Sequence, residues 1–356
     1  MVKNFKNNTL IDYLIAIFLS HIFYRITFID SLDNELSIVG QIKNSDLVSQ
    51  NFFIESPTFT LIALGLGIES LDVYKLLIYA ITLTCLLLIV LNVQYLGSYS
   101  TLFIFSGWLI TCSWFLGYVD VLTVLIMVLI SKNINTNNPS FIRISLYFLF
   151  LSLNHNAISF AVSIIYLILA NKNMLIKLCS SIVASQLLGN LLIQYYLNLI
   201  NFSGRGRLRF VFNDNIIEKA SGFLGENIFV VLWSGFFGTT IILILISNVL
   251  PWKEIKKILI SILISLLFTS IALDTSRIFG LLIVPIILYT LDLYKNNIEF
   301  KNKLSITYTL SATLVIFVGV YYFHGLIRTS SPMYELESFY DFIPRIVNSV
   351  MSNIWK

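Results

Sequence analysis

Long apolar runs separated by short polar turns recur along the whole chain, and this rhythm constrains the fold more than any single motif. A helix that crosses a bilayer needs about 20 mostly apolar residues, because no water is present to satisfy its backbone N–H and C=O groups. Candidate spans fall at 10–29, 73–92, 99–116, 119–131, 141–153, 157–171, 178–197, 227–250, 258–273, 278–291 and 304–323. The pattern predicts an all-α, polytopic integral membrane protein of about eleven transmembrane helices, with residues 1–356 forming a single transmembrane domain. The pair 141–153 and 157–171 has an alternative reading as one hairpin that dips into the bilayer and returns. Residues 57–68, opened by Pro57, are too short to span and predict an interfacial or re-entrant helix.

Composition supports this. Only 12% of residues are charged and 57% are hydrophobic, with a mean hydropathy of +0.84. Soluble domains carry about 25% charged residues, so lipid is the expected outer solvent. The net charge of +4 is small and scattered, which points away from nucleic acid. Cys85, Cys112 and Cys179 all fall in apolar runs and read as packing residues, not as a disulfide framework. The polar, lysine-bearing start precedes an apolar run without a small-residue cleavage site, which predicts a retained first helix.

Lysine and arginine accumulate in cytoplasmic loops. With Lys3 and Lys6 inside, strict alternation places Lys132, Lys172, Lys177, Lys253, Lys256, Lys257, Lys295, Lys301 and Lys303 inside as well, together eleven of the fifteen lysines. The expected orientation is therefore N-terminus cytoplasmic and C-terminus extracytoplasmic. The outer face then holds loops 30–56 and 198–226, a tail over 324–356, and short turns carrying Asp120, His155, and Asp274 with Arg277. Seven of the eight arginines and fifteen of the nineteen acids lie on or near that side. Arginine's planar fork suits phosphate or carboxylate, whereas lysine serves as a hydrated point charge.

Five constellations could carry chemistry on that face. Asp33, Glu35 and Asp46 sit in the first outer loop, where a carboxylate acts as a general base or holds a divalent metal; ordinary solvated acids are the plainer alternative. Asp120 follows Gly117 and Tyr118 between apolar runs, either as a costly functional acid or as a helix cap. His155, within Asn154-His155-Asn156, is an acid–base candidate or an exposed turn residue. Arg205, Arg207 and Arg209 alternate with Gly204 and Gly206, which aligns the arginines on one face if the segment is extended. Such a cluster suits a diphosphate, or docks on anionic headgroups. Asp274 and Arg277, three apart, could pair on one helical turn, or Arg277 could hold an anionic ligand. The ten residues form the candidate site: Asp33, Glu35, Asp46 and His155 catalytic, the four arginines on phosphate, Asp120 and Asp274 in support.

The acidic Asp33-Asn34-Glu35, Asp46, the aromatic stretch at 51–54 before Pro57, and the 117–120 turn together resemble the GT-C class of membrane glycosyltransferases. The resemblance covers about the first 130 residues, and Asn34 breaks the adjacent acidic pair of that class. It implies a lipid-phosphate sugar donor bound from the extracytoplasmic side. The outer arginines and the Asn/Ile/Lys/Phe-rich composition also look like bacterial O-antigen and capsule repeat-unit polymerases, and 153–160 is similar to a histidine turn of exopolysaccharide polymerases. Both imply a polyprenyl-phosphate or polyprenyl-diphosphate-linked sugar as partner. Neither resemblance implies a definite cofactor, and a divalent metal is the alternative. The contrasting expectation is a flippase or transporter of lipid-linked saccharide, for which paired broken helices and mid-membrane polar groups would be the mark.

Overall fold

A computed structural model describes residues 2–23, 32–44, 57–114, 116–136, 139–200, 250–271 and 275–295, together with Phe28, Phe202, isolated residues between 218 and 232, and two short strands. The described residues are almost wholly helical. In chain order they form α1 (Val2–Phe18), continued as a π-helix over Leu19–Phe23, then α2 (Leu32–Lys43), α3 (Thr58–Leu66), α4 (Leu71–Val93) and a 3₁₀ segment (Gln94–Tyr99). There follow α5 (Ser100–Ile104), α6 (Gly107–Trp114), α7 (Asp120–Ile134), α8 (Phe141–Asn154), α9 (Asn156–Leu169), α10 (Lys172–Leu199), α11 (Trp252–Thr269), α12 (Thr275–Leu282) and α13 (Val284–Lys295). The strands Tyr322–His324 and Ile327–Thr329 pair antiparallel, with Tyr322 opposite Thr329.

Three helical stretches are long and apolar enough to cross a membrane: Leu71–Gly97, Lys172–Leu199 and Arg277–Lys295. Thr9–His21, Phe141–Asn154 and Asn156–Leu169 are apolar but shorter. The expected spans 227–250 and 304–323 lie largely outside the described residues; of the second, only Tyr322 and Phe323 are described, and they belong to a strand rather than a helix. Residues 99–116 are not one continuous helix, since α5 and α6 are separated by a turn at Phe105 and Ser106. Residues 141–153 and 157–171 form two distinct helices. The expected first loop holds a helix, α2, whose buried positions Leu32, Glu35, Ile38 and Val39 recur at helical spacing. Residues 57–68 form a short helix closed by Gly67, whose φ of +66° is the left-handed conformation glycine tolerates.

The core is aliphatic and aromatic, with Trp108, Tyr74, Phe103, Phe148 and Phe279 fully buried. Cys85 and Cys112 lie in it and Cys179 is exposed; all three are free. α10 packs along α8, α7 lies between α4 and α8, and α12 rests on α6, α9 and α11. Large apolar side chains on the outside of α4, α10 and α11, such as Leu91, Leu187, Leu191 and Leu263, stay exposed, which is the arrangement lipid would cover.

Candidate functional site

Of the five charged side chains buried among the described residues, four, Glu35, Lys75, Asp120 and Arg277, gather towards one end of the bundle, and α7 shows why. Gly117 has a φ of +121°, which lets the chain turn sharply from Leu116 into α7, where Asp120 opens the first turn. The positive end of that helix favours a carboxylate there. Asp120 is 1% exposed. Across the bundle, 157 residues later, Arg277 of α12 donates from Nε to Oδ2 at 2.7 Å and from Nη2 to Oδ1 at 2.8 Å. The Tyr118 ring lies over the same guanidinium, 3.7 Å from its carbon. Burying two charges is offset only when geometry is good and the remaining polar sites are met. A bidentate contact, an aromatic face and a helix N-terminus provide that here.

The turn between α8 and α9 abuts the same helix start. Asn154 donates from Nδ2 to the Val119 carbonyl at 3.0 Å and to Thr123 Oγ1 at 2.7 Å. Its Oδ1 accepts from Thr58 Oγ1 at 3.0 Å, which draws in the start of α3. His155 interrupts the two helices, and its backbone still bonds to both: N–H to the Leu151 carbonyl and C=O to the Ser159 N–H. It is 4% exposed, so the exposed-turn reading of His155 does not hold.

Of the two described first-loop acids, only one faces inward. Asp33 is exposed on α2. Glu35 occupies the apolar face and accepts a hydrogen bond from Tyr74 Oη at 2.5 Å. Burial pushes its carboxyl up to about 8, against which the Tyr74 bond acts only partly. Next to Tyr74, the Lys75 ammonium lies 5.7 Å from the Phe28 ring, and Phe28 bridges to Leu116, just before the α7 turn. Glu35, Lys75, Asp120, Arg277 and the Asn154–His155 turn are thus linked by contacts from α2, α4, α7, α8 and α12. At the rim, Lys43 pairs with Glu69 at 2.7 Å and ties α2 to the start of α4.

Asp46, Arg205, Arg207, Arg209 and Asp274 lie outside the described residues. Arg277 takes Asp120 as its partner, because α12 packs on α6 and α7 and turns the guanidinium towards the start of α7. A phosphate reaching that edge of Arg277 would have to compete with Asp120. Tyr74, Lys75 and Thr58 join the cluster without any advance indication except that Lys75 is a lone cation in an apolar run. Among the described residues, no group of three or more His, Cys, Asp or Glu side chains could hold a metal ion.

At the other end of the bundle, a small open cleft of about 70 Å³ lies between α7, α9, α10 and α13, lined by Asn135, Tyr166, Asn171, Met174 and Tyr289 among others. Lys257 borders it, bonded to Tyr289 Oη at 3.2 Å and to Glu254 at 3.1 Å. None of the buried ionised groups of the first cluster lines this cleft. Comparison with protein-family models, with curated proteins and with solved structures finds no match to the chain.

Proposed function

We propose that this chain is a membrane glycosyltransferase acting on polyprenyl-phosphate- or polyprenyl-diphosphate-linked sugars at the extracytoplasmic face, in the synthesis of a cell-surface polysaccharide. In this reading the chain crosses the bacterial inner membrane about eleven times, with its N-terminus in the cytoplasm. The observation that carries it is the convergence of Glu35, Asp120, Arg277 and His155 at one end of the helical bundle, from segments far apart in sequence. A lipid-linked donor would enter laterally. Arg205, Arg207 and Arg209 would neutralise its phosphates, with Arg277 held in register by Asp120. Glu35 or Asp33 would accept the proton of the acceptor hydroxyl as it attacks the anomeric carbon, and the phosphate departs with the bonding electrons of the broken glycosyl–oxygen bond. A carboxyl that titrates near neutrality is well matched to that transfer. A repeat-unit polymerase is the narrower form of the proposal.

The test is the labelled polyprenyl-linked intermediate that accumulates when the gene is deleted. Single repeat units that fail to elongate indicate a polymerase, and a carrier lacking one sugar indicates a single-sugar transferase. Unchanged intermediates would overturn the enzyme reading. A second reading, a flippase or transporter of the same glycolipid, is favoured by one observation. Asp12 is buried in a short apolar helix beside a break in the helical path at Gly97, a feature such proteins use. Accumulation of complete glycolipid in the cytoplasmic leaflet would support it over the first.

A further inference from the structure

We infer that the junction of α1, α4 and α5 is a binding site for a small monovalent cation, sodium, built on Asp12. Asp12 lies in the apolar stretch Thr9–His21 and is 2% exposed. Its Oδ2 accepts from Gln94 Nε2 at 3.0 Å and from Ser100 Oγ at 2.7 Å, and its Oδ1 from Thr101 Oγ1 at 2.6 Å. All three donors are neutral. They satisfy the lone pairs of the carboxylate but leave its charge uncompensated, and an unpaired charge away from water is costly. Asp120, the other aspartate buried among the described residues, has a bidentate arginine; Asp12 has hydroxyls and an amide.

The surroundings favour a cation over any other compensation of that charge. The helical path breaks within Gln94–Tyr99, where Gly97 takes φ 68° and ψ −130°. Its carbonyl oxygen lies 3.0 Å from Ser100 Oγ, as an alternative acceptor for the one hydroxyl proton, so it faces the carboxylate's own partners. The C-terminal end of α4, the negative end of its dipole, points into the same junction. Asp12, Ser100, Thr101 and the Gly97 carbonyl all offer hard oxygen ligands, the set that suits hard cations. Rotation of two hydroxyl protons turns Ser100 and Thr101 from donors to the carboxylate into ligands of an ion. A single carboxylate neutralises a monovalent ion; a divalent one would leave a buried positive charge. Unwound backbone beside a carboxylate is also how cation sites arise inside helical membrane proteins.

This inference stands apart from the glycan reading, and its test reads no glycan. The full-length protein, purified in detergent, is unfolded thermally while sodium chloride replaces choline chloride at constant ionic strength. A ligand that binds only the folded state raises the midpoint with its concentration. The expected result is a saturable rise of several degrees with sodium that potassium does not reproduce. Asp12→Asn should fold and lose the sodium response, and Thr101→Ala should move the half-maximal sodium concentration upward at least several-fold. No sodium response in the wild type, an equal response to potassium, or a full response in Asp12→Asn would each overturn the site. If Asp12→Asn does not fold, Thr101→Ala and Ser100→Ala decide, and an unshifted midpoint concentration in both would overturn it. A carboxylate neutralised by a proton instead would give a midpoint that follows pH and ignores sodium, which also rejects the proposal.

Discussion

Arg277 and Asp120 are joined across 157 residues by a contact that is expensive to break from either side. Removing one partner of a buried ion pair leaves the other charge unpaired, at a cost of about 3–5 kcal/mol. Asp120→Ala and Arg277→Ala should each lower the thermal midpoint strongly, and the double variant should lose less than the sum. Additive losses in that cycle would show that the two side chains act independently. Glu35 permits a sharper test. Its folded carboxyl titrates at about 8 against an ordinary value of 4.5, so between those pH values the folded chain holds a proton that the unfolded chain has released. Stability should therefore fall as pH rises from about 4.5 to about 8. Glu35→Gln, neutral throughout, should flatten that slope and be more stable than the wild type above pH 8. Asp33→Asn, on the exposed side of the same helix, should leave the slope unchanged. The inward position of Glu35 was readable from Leu32, Ile38 and Val39 at helical spacing around it. The partner of Arg277 was not, because the nearest acid in sequence, Asp274, is the one local geometry suggests.

At the scale of elements, α8 and α10 pack together more extensively than any other pair of described helices, and a glycine lets them approach. A Cβ at Gly189 would approach the Cβ of Ser152 to 2.8 Å, and its Oγ more closely still. Small residues at such crossings let two backbones meet, which drives helix association where water is absent. Gly189→Ala should destabilise the protein by about 1–3 kcal/mol through overpacking. Combining it with Ser152→Gly should recover much of that loss in a thermal melt, whereas Ser152→Gly alone should not stabilise. Hydropathy made helices such as α4, α8, α9 and α10 legible, because burial in lipid depends on apolar length. It did not reveal where a helix stops within an apolar run. The turn at Phe105 and Ser106 and the break at Ile283 occur among apolar neighbours. At the second, Pro285 has no N–H for the Leu281 carbonyl and sits in the first turn of α13, a position proline accepts. Acidity likewise disguised α2 as a loop, although its apolar face is only half of its surface.

For the whole molecule, direction follows from how the helix ends meet. Lys132 bonds to Asn92 at 2.9 Å, joining the ends of α7 and α4. Lys257 reaches the Leu169 carbonyl at the end of α9. The starts of α7 and α9 lie instead with Glu35, Asp120 and Arg277. Lys132 and Lys257 thus mark one end and Glu35, Asp120 and Arg277 the other, the division that positive-inside insertion would produce from successive loops, with Lys43 and Lys75 on the acidic side and Asp12 on the lysine side as exceptions. The prediction is that the lysine end is cytoplasmic. Glu69 and Lys256 are convenient reporters, since Glu69 sits at the acidic rim with Lys43 and Lys256 lies over the Trp252 ring at the start of α11. In a chain whose exposed Cys179 has been replaced by serine, a cysteine at 69 should react with a membrane-impermeant maleimide in intact cells. A cysteine at 256 should react only after permeabilisation. Labelling of 256 and protection of 69 would place the carboxylate and arginine cluster in the cytoplasm. An extracytoplasmic glycan donor would then be out of reach, while the packing described for Asp120, Arg277 and Gly189 would stand unchanged.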